Sequence, residues 1–322
     1  MGAPQTLFPI ASYWAHLQGI EIHPSLPGLV IFGFLVGGIT GFFGVGGRLL
    51  MSPLLNALFN VPYNVAVGSD LCQMLGASAV NGLRFKRMNS IDYKLGGWML
   101  TGTIIGVEGG VRVLEFLKHL GSSNFLGMSV HYLPLVMTLT YSALLLWIGM
   151  IVYREAKASQ QEGMVDGILA PYQPAMTARL QHIHLPPMIS LPLSGIEAIS
   201  LWVILGVGTA TGLLIGFLGA GGGFIRMPAL IYVIGCPMVV AIGTDLFESI
   251  FSLAYGTLSH SLKGNIDLVL VIVLLITGSL GHQIGGVLAK RTANPKVRQF
   301  FALIAFIVVI LLGIKLISES MR

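Results

Sequence analysis

Ten apolar stretches follow one another along the chain, and eight of them are long enough to fix what it can become. The long ones run near residues 27–44, 64–83, 93–116, 130–152, 198–217, 239–260, 268–289 and 298–317. Each approaches the roughly 20 residues that a helix needs to cross the hydrocarbon core of a bilayer. Two more, 49–59 and 224–234, hold only eleven residues each and would reach about 16 Å as helices, so neither crosses alone. Lipid offers no water to satisfy a backbone amide, so segments of this kind must be helical. Composition agrees: 10% of the 322 residues are charged and the mean hydropathy is +0.83, whereas a soluble domain carries about 25% charge. The expected class is an all-α, polytopic membrane protein.

The chain also repeats itself. Sliding it by 175 positions, without a gap, lays GFFGVGGRLLMSPLL (from Gly41) on GFLGAGGGFIRMPAL (from Gly216), and VAVGSDL (from Val65) on VAIGTDL (from Val240). The register persists through Asp92 over Asp267, Gly106 over Gly281 and Gly110 over Gly285, with 21 of 72 aligned residues identical. Identity at Gly, Pro and Asp, and not only at interchangeable apolar positions, marks a true duplication. The expected organisation is an extracytoplasmic segment 1–26, a first transmembrane repeat 27–152, a connector 153–197 rich in proline and mixed charge, and a second repeat 198–322.

Eighteen Lys and Arg against thirteen Asp and Glu give a net charge of +5, which reads as a topology signal and not as a nucleic-acid surface. If each short piece counts as a crossing, Arg84, Lys86, Arg87, Lys94, Arg154, Lys157, Arg179, Lys290, Arg291, Lys296 and Arg298 share one face. The other face then holds only Lys118, Lys263, Lys315 and Arg322. Ignoring the short pieces splits the basic clusters between faces, against the positive-inside tendency. Five crossings per copy is an odd number, so the second copy is expected upside down relative to the first, with the connector cytoplasmic and both termini outside. Residues 1–26 lack Lys and Arg and do not read as a cleaved leader. Cys72 and Cys236 are too few for a disulfide framework or zinc cluster and read as packing residues.

At the join between a long and a short helix each copy carries a glycine cluster: Gly44, Gly46 and Gly47 in the first, Gly219, Gly221, Gly222 and Gly223 in the second. Glycine there unwinds the backbone at membrane depth, which is tolerable where it lines a cavity or binds something. The short helix that follows aims its positive end at the same place and favours an anion. Arg48 follows the first cluster and Arg226 the second, and each short helix holds a proline, Pro53 or Pro228, expected to break it. Two such starts and two guanidiniums would form a positive pocket near the midplane. The plainer readings are helix packing for the glycines and snorkelling for the arginines; recurrence in both copies favours a site. A phosphate-loop reading fails, because no Lys-Ser/Thr follows the glycines.

Ser69–Asp70 and Thr244–Asp245 lie near the start of the next long helix in each copy. A carboxylate at that depth costs at least about 2.5 kcal/mol and is usually paired, protonated or functional. The aspartates could carry protons or order a gate; the alternative is local capping. Glu108, Glu248 and His282 rank lower, since Glu108 aligns with Gln283 and Glu248 with Gln73. His182 and His184 in the connector have no third ligand nearby. Asp92 and Asp267 read as plain helix starts. No catalytic or metal motif and no cofactor signature is present, so an enzyme is not expected.

At the paired glycine and AVGSDL/AIGTDL stretches the sequence resembles the sulfite exporter TauE/SafE family of membrane permeases, over about residues 28–317 apart from the connector. The second copy matches more closely, since the first has Arg48 where the second keeps Gly223. The resemblance implies movement of sulfite or organosulfonates across the bacterial inner membrane, usually outward. The combined expectation is a secondary transporter of a small anion with protons as the candidate coupling ion, in a lipid bilayer, without nucleic acid, and compatible with a homo-oligomer. The alternatives are a passive anion channel, and a membrane sensor or scaffold acting through the connector.

Overall fold

The structure, a computed structural model, describes residues 26–43, 49–85, 91–125, 128–161, 185–291 and 295–320. The first glycine cluster with Arg48, and the histidines at 182 and 184, lie outside the described residues. The described first repeat contains α1 (Leu26–Phe43), α2 (Met51–Phe59), α3 (Tyr63–Phe85), α4 (Tyr93–His119) and α5 (Tyr132–Gln161). The second contains α6 (Leu201–Leu218), α7 (Gly223–Pro228), α8 (Met238–Leu262), α9 (Leu268–Arg291) and α10 (Pro295–Ser320). Five of these, α1, α6, α8, α9 and the first 23 residues of α5, are long and apolar enough to cross a membrane. α3 and α4 are comparably long, at 23 and 27 residues, but carry polar side chains of the interior. The described residues also form two hairpins, β1 (Ser122–Phe125) with β2 (Met128–His131) and β3 (Met188–Leu191) with β4 (Ile196–Ser200).

The 175-residue offset that relates the sequences also relates the helices. α1 and α6 start and end at matched positions, as do the starts of α3 and α8 and of α4 and α9. The short helices end alike: Asn60 and its counterpart Gly235 both take left-handed backbone. Val61 N–H donates to Leu55 O, and Cys236 N–H to Leu230 O. α2 runs unbroken to Phe59, with Pro53 in its first turn, where the missing N–H is no loss. Pro228 does interrupt: from Ala229 to Ile234 the chain widens into a π-helix.

The copies interlock instead of standing side by side. α1 packs along α9 of the other copy, and α6 along α4. Glycines let these backbones touch. A Cβ on Gly33, Gly37 or Gly41 would lie 2.1–2.3 Å from Thr277, Gly278 or His282 on α9. The counterparts Gly208, Gly212 and Gly216 would meet the carbonyls of Met99, Thr103 and Val107 on α4 at 2.2–2.3 Å. Both seams are thus parallel small-residue crossings at four-residue spacing, where close van der Waals contact holds the helices. The matched helices α3 and α8 instead cross with opposed registers, Gly68 facing His260 and Leu71 facing Gly256, while Asn64 meets Asn265, just past the end of α8, at 2.8 Å. α5 and α10 pack on each other at the periphery.

A clasp repeats the exchange. Asp267 N–H donates to Ser69 Oγ (2.9 Å), and Asp92 N–H donates to Thr244 Oγ1 (3.1 Å). Asp92 and Asp267 also act as the helix starts expected of them, accepting from Leu95 N–H and from Val269 and Leu270 N–H. The β3–β4 hairpin buries Leu191, Ile196 and Ile199 against Leu95, Met99, Leu230 and Ile234. It is tied down by Ser194 Oγ to Asp92 (2.7 Å) and Lys94 Nζ to Ser190 O (2.8 Å).

Candidate transport site

In the second copy the chain leaves α6 through Gly219, Gly221 and Gly222, all with φ between +65° and +69°, a left-handed conformation that glycine adopts without strain. The whole break is buried. Gly219 abuts Val67 on α3, so the second copy's break lies against the helix that carries Asp70. Tyr141 of α5 donates its hydroxyl to Leu218 O at the same break. The helix that follows is only six residues long, and Arg226 stands in its last turn.

Arg226 is fully buried. Its Nε donates to Asp245 Oδ1 (2.5 Å), Nη1 pairs with Glu248 Oε2, and Nη2 donates to Ser249 Oγ (2.5 Å). The sequence brings Arg226 and Asp245 forward and the structure joins them. Glu248, which ranks lower in sequence, is the second carboxylate on that guanidinium. In this conformation Arg226 is therefore held by side chains of the protein itself. Ser252 Oγ approaches Glu248 Oε2 (3.4 Å), while the other oxygen, Oε1, is buried with no hydrogen-bond partner.

The same positions in the first copy look different. Met51 stands in place of Arg226, Gln73 of Glu248, Met74 of Ser249 and Ala77 of Ser252. Asp70 accepts hydrogen bonds from Ser52 Oγ and Gln73 Nε2, both 2.9 Å. Beside it lies a cavity of about 340 Å³ bounded by α1, α2, α3 and α9, near the lower end of the range for small-molecule sites. Its polar lining includes Asp70 itself together with Thr40, Gln73, Ser78, Ser279, His282 and Gln283. Hydroxyls, amides and an imidazole offer hydrogen-bonding groups there, and Asp70 adds a carboxyl group to the same wall. α3 and α9 run in the same direction along this cavity, Ser69 meeting Asp267 and Gly76 meeting Leu275. Both then continue toward the basic clusters at 84–87 and 290–298.

Ser69 and Thr244 are fully buried and serve the clasp, and Gly223 opens α7. Glu108, partly exposed, sits near the far end of α8, held by Arg112 (2.8 Å), Ser259 (2.9 Å) and Tyr255 (3.4 Å). Of the cysteines, Cys236 is buried and Cys72 partly so. Among the described residues no cluster of His, Cys, Asp or Glu could hold a metal.

Comparison with known proteins points the same way as the fold. A probable membrane transporter protein YunE of Bacillus subtilis is 24% identical over 303 residues, covering 91% of this chain and 97% of its own. A probable membrane transporter protein of Xylella fastidiosa is 26% identical over 281 residues, 86% of this chain and 91% of its own. One from Methanocaldococcus jannaschii is 35% identical over 74 residues, 21% of this chain. No solved structure matches. The family profile Sulfite exporter TauE/SafE matches residues 29–312. This multi-pass membrane protein, built on two interlocked repeats, belongs to the sulfite exporter TauE/SafE family and is a membrane transporter.

Proposed function

We propose that the chain is a secondary transporter that exports a small oxyanion, sulfite or an organosulfonate, across the bacterial inner membrane by alternating access between two inverted copies. The observation that carries this reading is the contrast at matched positions. The first copy has a polar cavity beside Asp70, and the second has a closed cluster around Asp245. In an inverted pair, exchanging the two conformations would close the first cavity and open its counterpart toward the opposite face. The opposed crossing of α3 and α8 supports the inversion. The basic ends of α3 and α9 support a cytoplasmic mouth for the cavity and termini on the outer side. Gly219, Gly221, Gly222 and Gly223, with Gly44, Gly46, Gly47 and Arg48 of the first copy, are assigned to substrate. Arg226 is assigned to substrate once the second site opens and its carboxylates are released.

Purified protein in proteoliposomes, loaded with labelled sulfite, tests this. Efflux should need the protein and fall sharply in Arg48→Ala, Arg226→Ala and Ser279→Leu, while Leu280→Ala on the exposed face of α9 should match the parent. Unchanged flux in all three site variants refutes the pocket. Flux that runs only downhill and ignores a pH gradient makes the protein an anion channel. Deleting residues 162–184 without effect on flux argues against a role for the connector in transport.

A further inference from the structure

We propose that Glu248 is a proton-binding site, holding its proton on the unpartnered Oε1 while the second copy is closed, and that this proton is exchanged with the face opposite the first-copy cavity. The inference rests on the transporter reading and names its coupling ion and the residue that carries it.

The argument begins with charge. Arg226 is the one cation in contact with Asp245 and Glu248 among the described residues, and all three side chains are at most 10% exposed. One guanidinium against two carboxylates leaves a net charge of −1 if every group is ionised. An uncompensated charge in a dry interior is among the costliest features a fold can carry, and the usual remedy is a bound proton. Among the described residues no further cation is paired with the cluster, and His260, farther along α8, is engaged with Gly216 O of α6. α6 contains no ionisable residue at all. On α4 the charged groups lie elsewhere: Lys94 binds Ser190 O beside the hairpin, and Glu108, Arg112 and Glu115 sit toward the far end. Asp70 of α3 is engaged with Ser52 and Gln73. The neutralising group is then a proton, and the two carboxylates differ in where it fits. Asp245 Oδ1 is taken by the Arg226 Nε–H. Glu248 has Oε2 on Arg226 and Oε1 on nothing.

A route leads away from that oxygen. Ser252, Tyr255 and Ser259 follow Glu248 along one face of α8 at three- and four-residue steps, which place side chains one above another. Ser252 Oγ lies 3.4 Å from Glu248 Oε2, and Tyr255 and Ser259 both reach Glu108 Oε2, at 3.4 and 2.9 Å. Glu108 is partly exposed and also meets Arg112 and Lys263. These groups form a polar ladder from the buried carboxyl toward the end of α8 that the charge pattern puts outside. The first copy lacks both parts: Gln73 replaces the acid, and Ala77, Val80 and Arg84 replace the ladder. The second copy alone carries this acid and its ladder. When the second copy opens, water reaches Oε1, the O–H bond breaks, and the proton passes to water and the outer face.

Difference infrared spectroscopy of the full chain in detergent, in H2O and D2O at neutral pH, reads a protonated carboxyl directly as a C=O band that shifts on deuteration. The parent should show it, Glu248→Gln should lose it, and Glu197→Gln, on the exposed hairpin, should keep it. Loss in Asp245→Asn with retention in Glu248→Gln would assign the proton to the wrong residue and overturn the proposal. So would absence of the band from the parent, a result that needs no variant to fold; sodium-dependent thermal stabilisation alongside it would mark a cation site instead. In proteoliposomes, labelled sulfite accumulation driven by a pH gradient should be lost in Glu248→Gln, and persistence of that coupling also overturns it. If the parent moves no sulfite, the substrate assignment fails, while the infrared result still decides the proton.

Discussion

The cores of the two copies occupy matched positions and have opposite characters. In the first copy the positions matched to the Arg226 cluster hold Met51, Gln73, Met74 and Ala77, and they border a cavity together with Asp70. Around Asp245 the side chains are Arg226, Glu248, Ser249 and Ser252, all buried. The two copies share one backbone plan and differ at these four positions, where the first borders a cavity and the second holds an ion cluster that the transport proposal reads as a latch. A buried ion cluster of this kind contributes little net stability, since desolvation consumes most of the attraction, yet breaking it by removing one partner is costly. That combination suits a latch, which must hold firmly in one state and be exchangeable for solvent in another.

The largest expected effect is on accessibility. In a chain whose Cys72 and Cys236 are replaced by alanine, Ser279→Cys should react with a membrane-impermeant maleimide from the cytoplasmic side and Ser252→Cys should stay unlabelled. Equal labelling would erase the contrast between the copies. Next comes Arg226→Met, which gives the second copy the residue of the first and leaves two carboxylates without their cation. It should lower stability by about 3–5 kcal/mol in thermal unfolding in detergent, and adding Glu248→Gln should recover part of the loss. No loss in the single variant would mean that the latch holds nothing.

Third are the glycine seams. Gly37→Ala and Gly212→Ala drive a methyl into a backbone carbonyl at 2.3 and 2.2 Å, and each should cost about 1–3 kcal/mol. Gly97→Ala and Gly206→Ala, with nothing within 4 Å, serve as controls. Equal costs would mark both seams as fixed, whereas a smaller cost on one would identify the seam that slides. The smallest effect belongs to the clasp: Ser69→Ala and Thr244→Val each remove one acceptor from a buried amide and should cost about 1 kcal/mol by the same unfolding measurement.

Sequence alone went far with the helices, because a backbone in lipid has few alternatives. The ten α-helices among the described residues fall where the apolar runs put them, and Asp92 and Asp267 start helices as expected. The hairpins escape it. Ile189, Leu191, Ile196 and Ile199 sit among prolines in a stretch that reads as connector, and only packing against Leu230 and Ile234 makes them core. Glu248 is undervalued for a different reason. Comparison of copies rewards identity, and its counterpart is Gln73, so the divergence that creates the latch lowers its rank. Spacing holds the missing signal, since Asp245, Glu248, Ser249 and Ser252 recur at three- and four-residue steps and share a helical face. His282 is a low-ranked candidate in the sequence, and its place in the cavity with Ser279 and Gln283 becomes visible only when α9 is seated beside α3 and α1 of the other copy.

The exchanged seams bear on how such a chain is made. Each repeat keeps the partner of its first and fourth helices in the other repeat, so neither half is a finished unit when it leaves the ribosome. While the connector is being translated, the glycine stripes of α1 and α4 face lipid with nothing to grip, and the amide of Asp92 waits for a hydroxyl not yet synthesised. The α4 stripe can be covered once α6 has followed it into the bilayer, whereas the α1 stripe must wait for α9.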